Sequence, residues 1–239
     1  MEKERDALRQ ELMRKYYDNS DYYMHARDNF ADKETKFNRY TIKNALSIYY
    51  PKRGEKILDI GCGWGNISLA LQKKGFAVIG LDYSKKSIEI CRNTAKKLGL
   101  NPSRFICRDA TRSKLGPESF DVVYCCDFVE HIYPHVYEEL LDEIHRILKQ
   151  KGKLVIYTPN PSHFLERMRE HKLLLKKEVS HVDYKTMKRL KESLTKHGFF
   201  IIRAYYIESH LPIVAHIERM LKNSIPLFRR RNAVFAIKV

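Results

Sequence analysis

The sequence predicts a doubly wound α/β fold, in which a seven-stranded, mostly parallel sheet follows an N-terminal helical cap. From Lys56 onward, short apolar runs alternate with helical stretches of ten or more residues, a pattern typical of βαβ units. The length of 239 residues suits one domain of this class. The predicted strands are Lys56–Ile60, Ala77–Asp82, Ser103–Arg108, Phe120–Cys125, Gly152–Thr158, Phe199–Tyr206 and Val234–Val239.

The helices between these strands are predicted from apolar residues that recur at helical spacing. They lie around Ile67–Leu71 and Ile88–Leu98, and over Tyr137–Leu148 and Tyr184–His197. Glycine is favoured just past the end of a helix because it adopts positive φ without strain. Four glycines fall where a helix is expected to end: Gly75, Gly99, Gly152 and Gly198.

The first 50 residues are expected to form a separate helical cap. They are rich in aromatic residues and end at Pro51, with Gly54 close behind, before the first predicted strand. Residues 51–239 are expected to form the α/β domain, with basic amphipathic insertions at 160–180 and 209–231.

Composition places the chain among globular proteins, with 44% hydrophobic and 31% charged residues. No apolar run approaches the roughly 20 residues of a membrane-spanning helix, and the charged segment Met1–Lys15 lacks the apolar stretch of a signal peptide. We therefore expect a cytoplasmic protein. Its five cysteines show no C-x-x-C spacing and are expected to be reduced thiols.

The strongest local motif is the glycine-rich turn at residues 57–66, Ile-Leu-Asp-Ile-Gly-Cys-Gly-Trp-Gly-Asn. An apolar strand runs into three alternating glycines, which allow a sharp turn and close approach of a ligand to the backbone. The dinucleotide-binding pattern G-x-G-x-x-G requires a third glycine at position 66, where this chain has Asn66. The turn therefore disfavours a nicotinamide cofactor.

Acidic residues follow the first three strands at the same predicted sheet edge. Asp59 precedes the glycine turn, where a carboxylate repels a pyrophosphate but receives an amino group. Asp82 ends the second strand, where it suits the two hydroxyls of a ribose. Asp109 follows the third strand, in position to accept from an adenine amino group. The three together predict a site for an adenosine that carries an amino acid.

With these motifs in this order, Lys56 to Gly198 resembles the class I S-adenosylmethionine-dependent methyltransferases. The resemblance implies S-adenosylmethionine as cofactor and S-adenosylhomocysteine as product. It also implies a cofactor-binding set of Asp59, Gly61, Cys62, Gly63, Gly65, Asp82, Tyr83, Asp109, Ala110, Asp127 and Phe128.

The segment after the fourth strand, from Cys126 to Ile132, carries the candidate catalytic groups. An imidazole titrates near neutral pH, so His131 is a candidate general base for a hydroxyl acceptor, with Glu130 beside it. The alternative is that this pair only orders the loop. The segment also resembles the ubiquinone-biosynthesis O-methyltransferases, some of which hold a divalent cation here. Asp127, Glu130 and His131 match three ligand positions, whereas Cys126 departs from the fourth.

The methyl acceptor is expected to be small or amphipathic, with O-methylation favoured over N- or C-methylation. Tyr16, Tyr17, Tyr23 and His181 are candidate acceptor-binding residues, because they are aromatic or polar and lie outside the cofactor motifs. Packing in the core is the alternative role of these side chains. Residues 1–50 would then act as a lid over the acceptor. The oligomeric state is not predicted.

The last third of the chain is strongly basic. Residues 149–239 contribute +13 of the net charge of +16, and the amphipathic segments His163–Val179 and Ile213–Arg231 lie within them. A basic amphipathic helix followed by Arg229, Arg230 and Arg231 suits an anionic membrane surface. The alternative is a lid whose apolar face packs on the core. An RNA-directed enzyme and an N- or C-methyltransferase of lipid headgroups also remain open.

Overall fold

A computed structural model describes residues 2–19, 36–173 and 180–239. The helices are α1 (Glu2–Asn19), α2 (Lys36–Ile48), α3 (Asn66–Lys73), α4 (Lys85–Lys97), α5 (Pro134–Ile147), α6 (Phe164–Glu170), α7 (Met187–Lys196) and α8 (Pro212–Leu221). The strands are β1 (Lys56–Ile60), β2 (Ala77–Asp82), β3 (Phe105–Cys107), β4 (Phe120–Cys126), β5 (Leu148–Pro159), β6 (Phe199–Ile207) and β7 (Arg231–Lys238).

The strands form one seven-stranded sheet in the order β3-β2-β1-β4-β5-β7-β6. Strands β1 to β5 pair in parallel, and β7 runs antiparallel to both of its neighbours. Apolar clusters bury both faces of the sheet, as expected when helices cover a mostly parallel sheet. The predicted fold class is therefore confirmed, and the carboxyl ends of β1 to β4 share one edge.

Several element boundaries differ from the prediction for local reasons. Strand β3 is shorter because Pro102–Arg104 forms a 3₁₀ turn capped by Asn101. Helix α7 begins only at Met187, because the Thr186 side chain caps it. Gly152 does not end a helix: β5 follows α5 directly and contains this glycine.

Two helices, Glu2–Asn19 and Lys36–Ile48, lie within the first 50 residues. Helix α1 docks on the domain through Tyr17, which is buried against Ile90, and through Asp18, which accepts a hydrogen bond of 2.8 Å from the Ser84 hydroxyl. Tyr16 is partly exposed. Tyr23, a predicted acceptor-binding residue, lies outside the described residues.

The two basic insertions pack against each other. His163 Nε2 lies 2.8 Å from Glu218 Oε1, and both side chains are fully buried. The rings of Phe164 and Phe228 are 6.2 Å apart between centroids. The predicted amphipathic segment Ile213–Arg231 is helical only up to Leu221, because a turn and strand β7 follow.

The structure corrects the role expected for the three consecutive arginines. Arg230 is buried against Glu166, and Arg231 is buried against Asp127. Arg229 donates to the backbone carbonyl oxygens of Lys222 and Asn223, which follow α8, and lies over the ring of Tyr206. These cations hold the fold together and do not form an open basic surface. Within the described ranges, no helix is long and apolar enough to span a bilayer.

Candidate active site

The glycine turn forms a tight loop between β1 and α3. The N–H groups of Gly61 and Cys62 donate to the Leu81 carbonyl at 2.8 and 3.0 Å, which ties the loop to β2. Gly61 has φ 67°, and an added Cβ would lie 2.3 Å from the Phe128 ring. No larger residue fits there without displacing Phe128, so the motif requires glycine at this position.

Gly63, unlike Gly61, is not crowded by a neighbouring side chain. Its φ is 51°, and an added Cβ would meet no atom within 4 Å. Open space therefore lies beside the backbone at the middle of the loop, where a ligand can approach. Gly65, by contrast, faces the core against Cys91 and Phe105, and the Cys62 side chain packs into the same apolar cluster. Only the backbone of these two residues remains for ligand contacts.

Asp82 organises the loop from the end of β2. Its carboxylate accepts hydrogen bonds from Gly63 N at 3.0 Å and from Ser84 N at 2.9 Å. Burial raises the pKa of Asp82 to about 6, although these backbone hydrogen bonds oppose the shift. A carboxylate has room for further donors, so it can still receive the hydroxyls of a ribose.

Asp59 lies deeper, at the end of β1. One carboxylate oxygen accepts from the Ser68 hydroxyl at 2.7 Å and from Ser68 N at 3.1 Å. Burial raises the pKa of Asp59 to about 7. A buried carboxyl with a raised pKa is stabilised as an anion by any cation that binds beside it, which is the property needed to hold an ammonium group.

A pocket that is open to solvent lies at this sheet edge, with about 420 Å³ of empty space when its solvent-filled mouth is included. Its lining is Gln10, Gly61, Leu81, Asp82, Tyr83, Asp109, Ala110, Thr111, Phe128, Ile132, Val136 and Leu140. Six residues of the predicted cofactor set are brought together here. Asp109 also caps the next turn by accepting from Thr111 N at 2.8 Å.

Gln10 was missed by sequence reasoning. Its side chain reaches the cavity from α1, and its carbonyl oxygen lies 3.4 Å from Tyr133 N. The apolar residues of helix α1 do not show which face meets the domain, because Leu8 and Leu12 are exposed whereas Tyr17 is buried.

Asp127 does not take the place that was predicted for it. It has φ 49°, and its carboxylate pairs with Arg231 and accepts a 3.4 Å hydrogen bond from the Thr41 hydroxyl. It is not among the residues that line the cavity. Its carboxylate is therefore engaged in an ion pair with Arg231.

His131 lies beside the cavity, between α1 and the residues that precede α7. Its Nδ1 is 2.8 Å from the Tyr17 hydroxyl and 3.0 Å from the Ser180 carbonyl oxygen. A carbonyl oxygen only accepts hydrogen bonds, so the Ser180 contact is a hydrogen bond in the tautomer that carries its proton on Nδ1, whereas in the other tautomer the Tyr17 hydroxyl donates to Nδ1. In the first of these tautomers, the lone pair that a general base requires is on Nε2.

Glu130 is buried and accepts from the Thr158 hydroxyl at 2.9 Å. Burial, together with the charge of Asp127, raises the pKa of Glu130 well above its usual range. Its backbone carbonyl accepts from Val182 N and Asp183 N at 2.9 and 3.2 Å. The backbone of Glu130 therefore joins this turn to the later segment, while its side chain is tied to β5 through Thr158.

His181 comes next to His131, with ring centroids 4.8 Å apart. Its Nδ1 lies 2.7 Å from the Tyr184 hydroxyl, which donates to Glu166 at 3.0 Å. Burial, with the neighbouring His131, lowers the pKa of His181 to about 3. The imidazole is therefore neutral at physiological pH.

Lys185 is a second residue that sequence reasoning missed. Its ammonium is buried and donates to the carbonyl oxygens of Val129 and Ile132, the latter at 2.8 Å, and it pairs with Asp183 at 3.1 Å. It thus fastens the turn that contains His131 to the segment that contains His181. In the sequence, Lys185 looks like any of the many lysines around it, because only the fold determines that its side chain is buried.

Ligand atoms of Glu130, His131 and His181 lie within 4.8 Å of one another. Among the described residues, this is the one group of three or more His, Cys, Asp or Glu side chains whose potential ligand atoms come that close together. The set differs from the predicted Asp127, Glu130 and His131, because Arg231 holds Asp127 and His181 takes its place.

The pattern of a methyltransferase domain family matches residues 57–152, which contain the glycine turn, Asp82, Asp109 and His131. This match coincides with the cavity and with the sheet order described above. Residues 57–152 are therefore similar to a methyltransferase domain.

Curated relatives match this domain over part of their length. The ubiquinone biosynthesis O-methyltransferase of Coxiella burnetii is 32% identical over 108 residues, which is 45% of either chain. The protein of the same name from Aliivibrio fischeri is 32% identical over 93 residues, or 39% of this chain and 38% of its own. The matched region thus spans less than half the length of these relatives.

Solved structures support the fold of the methyltransferase domain. A methyltransferase dependent on S-adenosylmethionine from Archaeoglobus fulgidus has a TM-score of 0.69 at 21% identity, covering 92% of this chain and all of its own. Magnesium protoporphyrin IX methyltransferase from Synechocystis, with bound S-adenosylhomocysteine, has a TM-score of 0.69 at 14% identity, covering 95% and 99%. The Rossmann-like methyltransferase fold therefore extends over nearly the whole chain.

Proposed function

We propose that the protein transfers a methyl group from S-adenosylmethionine to a hydroxyl of a small or amphipathic acceptor. The observation that carries this proposal is the cavity that brings Gly61, Asp82 and Asp109 to one sheet edge. Two features support the fit to the cofactor: open space beside Gly63 leaves room at the backbone, and the carboxylates of Asp82 and Asp109 line the cavity.

Each part of the site has a distinct binding role in this proposal. Asp59 and the backbone of the loop hold the amino-acid end, and Asp82 accepts from the ribose hydroxyls. Asp109 and Ala110 receive the adenine, whose faces pack on apolar walls such as Phe128 and Val136. The bound cofactor supplies a methyl group that is already activated for displacement, so the protein mainly aligns the acceptor and excludes water.

His131 is the proposed general base. In the tautomer that we propose, Nδ1 donates to the Ser180 carbonyl oxygen, and Nε2 takes the proton as the acceptor oxygen attacks the methyl carbon. Tyr17 and His181 flank this imidazole, and both are proposed to shape the acceptor pocket. Partial exposure of Tyr16 agrees with a place at the rim of that pocket.

Replacement of His131 by alanine is expected to lower kcat by about a hundredfold or more, the usual contribution of a positioned base. The dissociation constant of S-adenosylhomocysteine should change little, because His131 does not line the cofactor cavity. The assay follows uptake of labelled methyl by fractionated small-molecule and lipid extracts. As a matched control, His135→Ala removes a histidine on the partly exposed start of α5. Equal turnover in the His131 variant and wild type would exclude the base.

A divalent cation at Glu130, His131 and His181 is the second candidate role for this cluster, favoured by the spacing of its ligand atoms. Neutral imidazoles and a carboxylate form a ligand set suited to transition metals. The same assay separates the two roles. Loss of activity with a chelator and recovery with added cation would assign the cluster to a metal, whereas unchanged activity assigns His131 to proton transfer alone.

A further inference from the structure

Helix α8 has its apolar face turned outward. In an ordinary surface helix, the apolar stripe packs on the core and charged residues face water. Here Ile213, Ile217 and Met220, which share one helix face, are 79%, 41% and 69% exposed. The acidic residue of the same helix, Glu218, is fully buried. The orientation is the reverse of that expected for a helix whose only role is to cover a core.

This reversed orientation is held in place by specific contacts. The Glu218 carboxylate lies 2.8 Å from His163 Nε2 and accepts a 2.5 Å hydrogen bond from Ser209 N. Lys222, at the end of the helix, donates to the Tyr206 carbonyl and to Glu208. Turning the apolar face inward would expose these groups and break their hydrogen bonds, so the outward face is a property of the folded domain.

The charge around this face is one-sided. Between residues 209 and 231, Glu218 is the single acidic residue, and it is buried. His216 lies on the outward face, and the Arg219 side chain beside it is 69% exposed. The exposed leucine and isoleucine side chains of Leu211, Ile225 and Leu227 flank the helix in the chain. Within residues 209–231, the apolar face therefore has no exposed acidic neighbour, and Glu208, just before this range, pairs with Arg219 at 3.7 Å.

We infer that α8 docks on an anionic lipid surface, with Ile213, Ile217 and Met220 inserted among the acyl chains and Arg219 at the headgroups. A lid that packs on the core would bury these side chains, whereas they are exposed. Apolar insertion combined with positive charge is how amphipathic helices bind membrane interfaces. This inference is independent of the proposed methyl transfer, because none of these residues lines the cofactor cavity.

The docking surface is also connected to the candidate site. Helix α6, whose N-cap residue His163 contacts Glu218 of α8, supplies Glu166, and this carboxylate accepts from Tyr184, the partner of His181. If the proposed methyl transfer holds, an amphipathic acceptor resting in the lipid would reach His131 from this side of the protein.

Co-sedimentation with vesicles tests the docking surface. The wild-type chain should bind vesicles that contain phosphatidylglycerol and should bind phosphatidylcholine alone more weakly. Binding should also weaken as the salt concentration rises. In the double variant Ile213→Asp with Met220→Asp, the partition coefficient should fall by about tenfold or more, because two inserted apolar side chains are lost. The matched control is Leu98→Asp, which alters an exposed leucine after α4, near the other edge of the sheet.

Two companion measurements make the result decisive. Both altered side chains face solvent, so urea unfolding and S-adenosylhomocysteine binding should match the wild type in the double variant. Absence of wild-type binding to anionic vesicles would overturn the inference, as would equal binding by the double variant. So would a wild-type dimer that the double variant converts to monomer while neither binds vesicles, since the face would then join two copies of the chain.

Discussion

Replacement of Asp82 by alanine is expected to weaken S-adenosylhomocysteine binding by a factor of about 100 or more. Hydrogen bonds to a charged group contribute about 1.5–3 kcal/mol each, and two ribose hydroxyls are proposed to share this carboxylate. The variant also removes the acceptor of Gly63 N and Ser84 N. Part of the loss will therefore come from a less ordered loop, and calorimetric titration measures the sum.

A ligand lacking the ribose 2′-hydroxyl separates the two contributions. In the wild type, the 2′-deoxy analogue of S-adenosylhomocysteine should bind more weakly than the parent compound. In Asp82→Ala, the two ligands should bind with nearly equal affinity, because the acceptor is gone. If the hydroxyl is worth as much in the variant as in the wild type, Asp82 does not contact the ribose.

Replacement of Arg231 by methionine is expected to lower the free energy of unfolding by about 3 kcal/mol. Its guanidinium is buried against Asp127 and lies 5.1 Å from the centre of the Tyr157 ring. Removing one partner of a buried ion pair leaves the other charge without compensation, at a cost of about 3–5 kcal/mol. The lower end is expected because Asp127 keeps some contact with solvent. Urea unfolding gives the value.

Two controls isolate the ion pair at Arg231. The double variant Arg231→Met with Asp127→Asn removes both charges and should recover part of the lost stability. Lys188→Met removes an exposed cation whose partner Glu192 is also exposed, and should change stability by less than about 1 kcal/mol. A loss as small for Arg231→Met as for Lys188→Met would show that the pair contributes little.

The cofactor cavity was predictable because its signals are local. Gly61 and Asp82 each stand at the end of a strand, and parallel strands bring their carboxyl ends to one edge whatever the rest of the chain does. The spacing of apolar residues predicted those strands to within a few residues. Positive φ at Gly75, Gly99 and Gly198 confirms three of the four predicted helix ends.

The missed residues depend on partners far away in the sequence. Arg231 pairs with Asp127 across 104 positions, and Lys185 reaches carbonyl oxygens more than 50 positions earlier. In the sequence these cations contribute only to the net charge, and the run of three arginines was therefore interpreted as an open basic surface. The outward face of α8 was hidden for the same reason, since periodicity identifies an apolar stripe but not the direction in which it points.

Titration calorimetry with S-adenosylmethionine is the most direct test of the site. We expect one molecule to bind per chain, in competition with S-adenosylhomocysteine, and no binding of NAD. Bound ammonium and ribose groups favour the ionised forms of Asp59 and Asp82, whose pKa values are raised to about 7 and about 6. Binding should therefore release protons, and affinity should fall as the pH drops below about 7. Binding of NAD, or no binding of S-adenosylmethionine between pH 7 and 8, would contradict the assignment of this cavity.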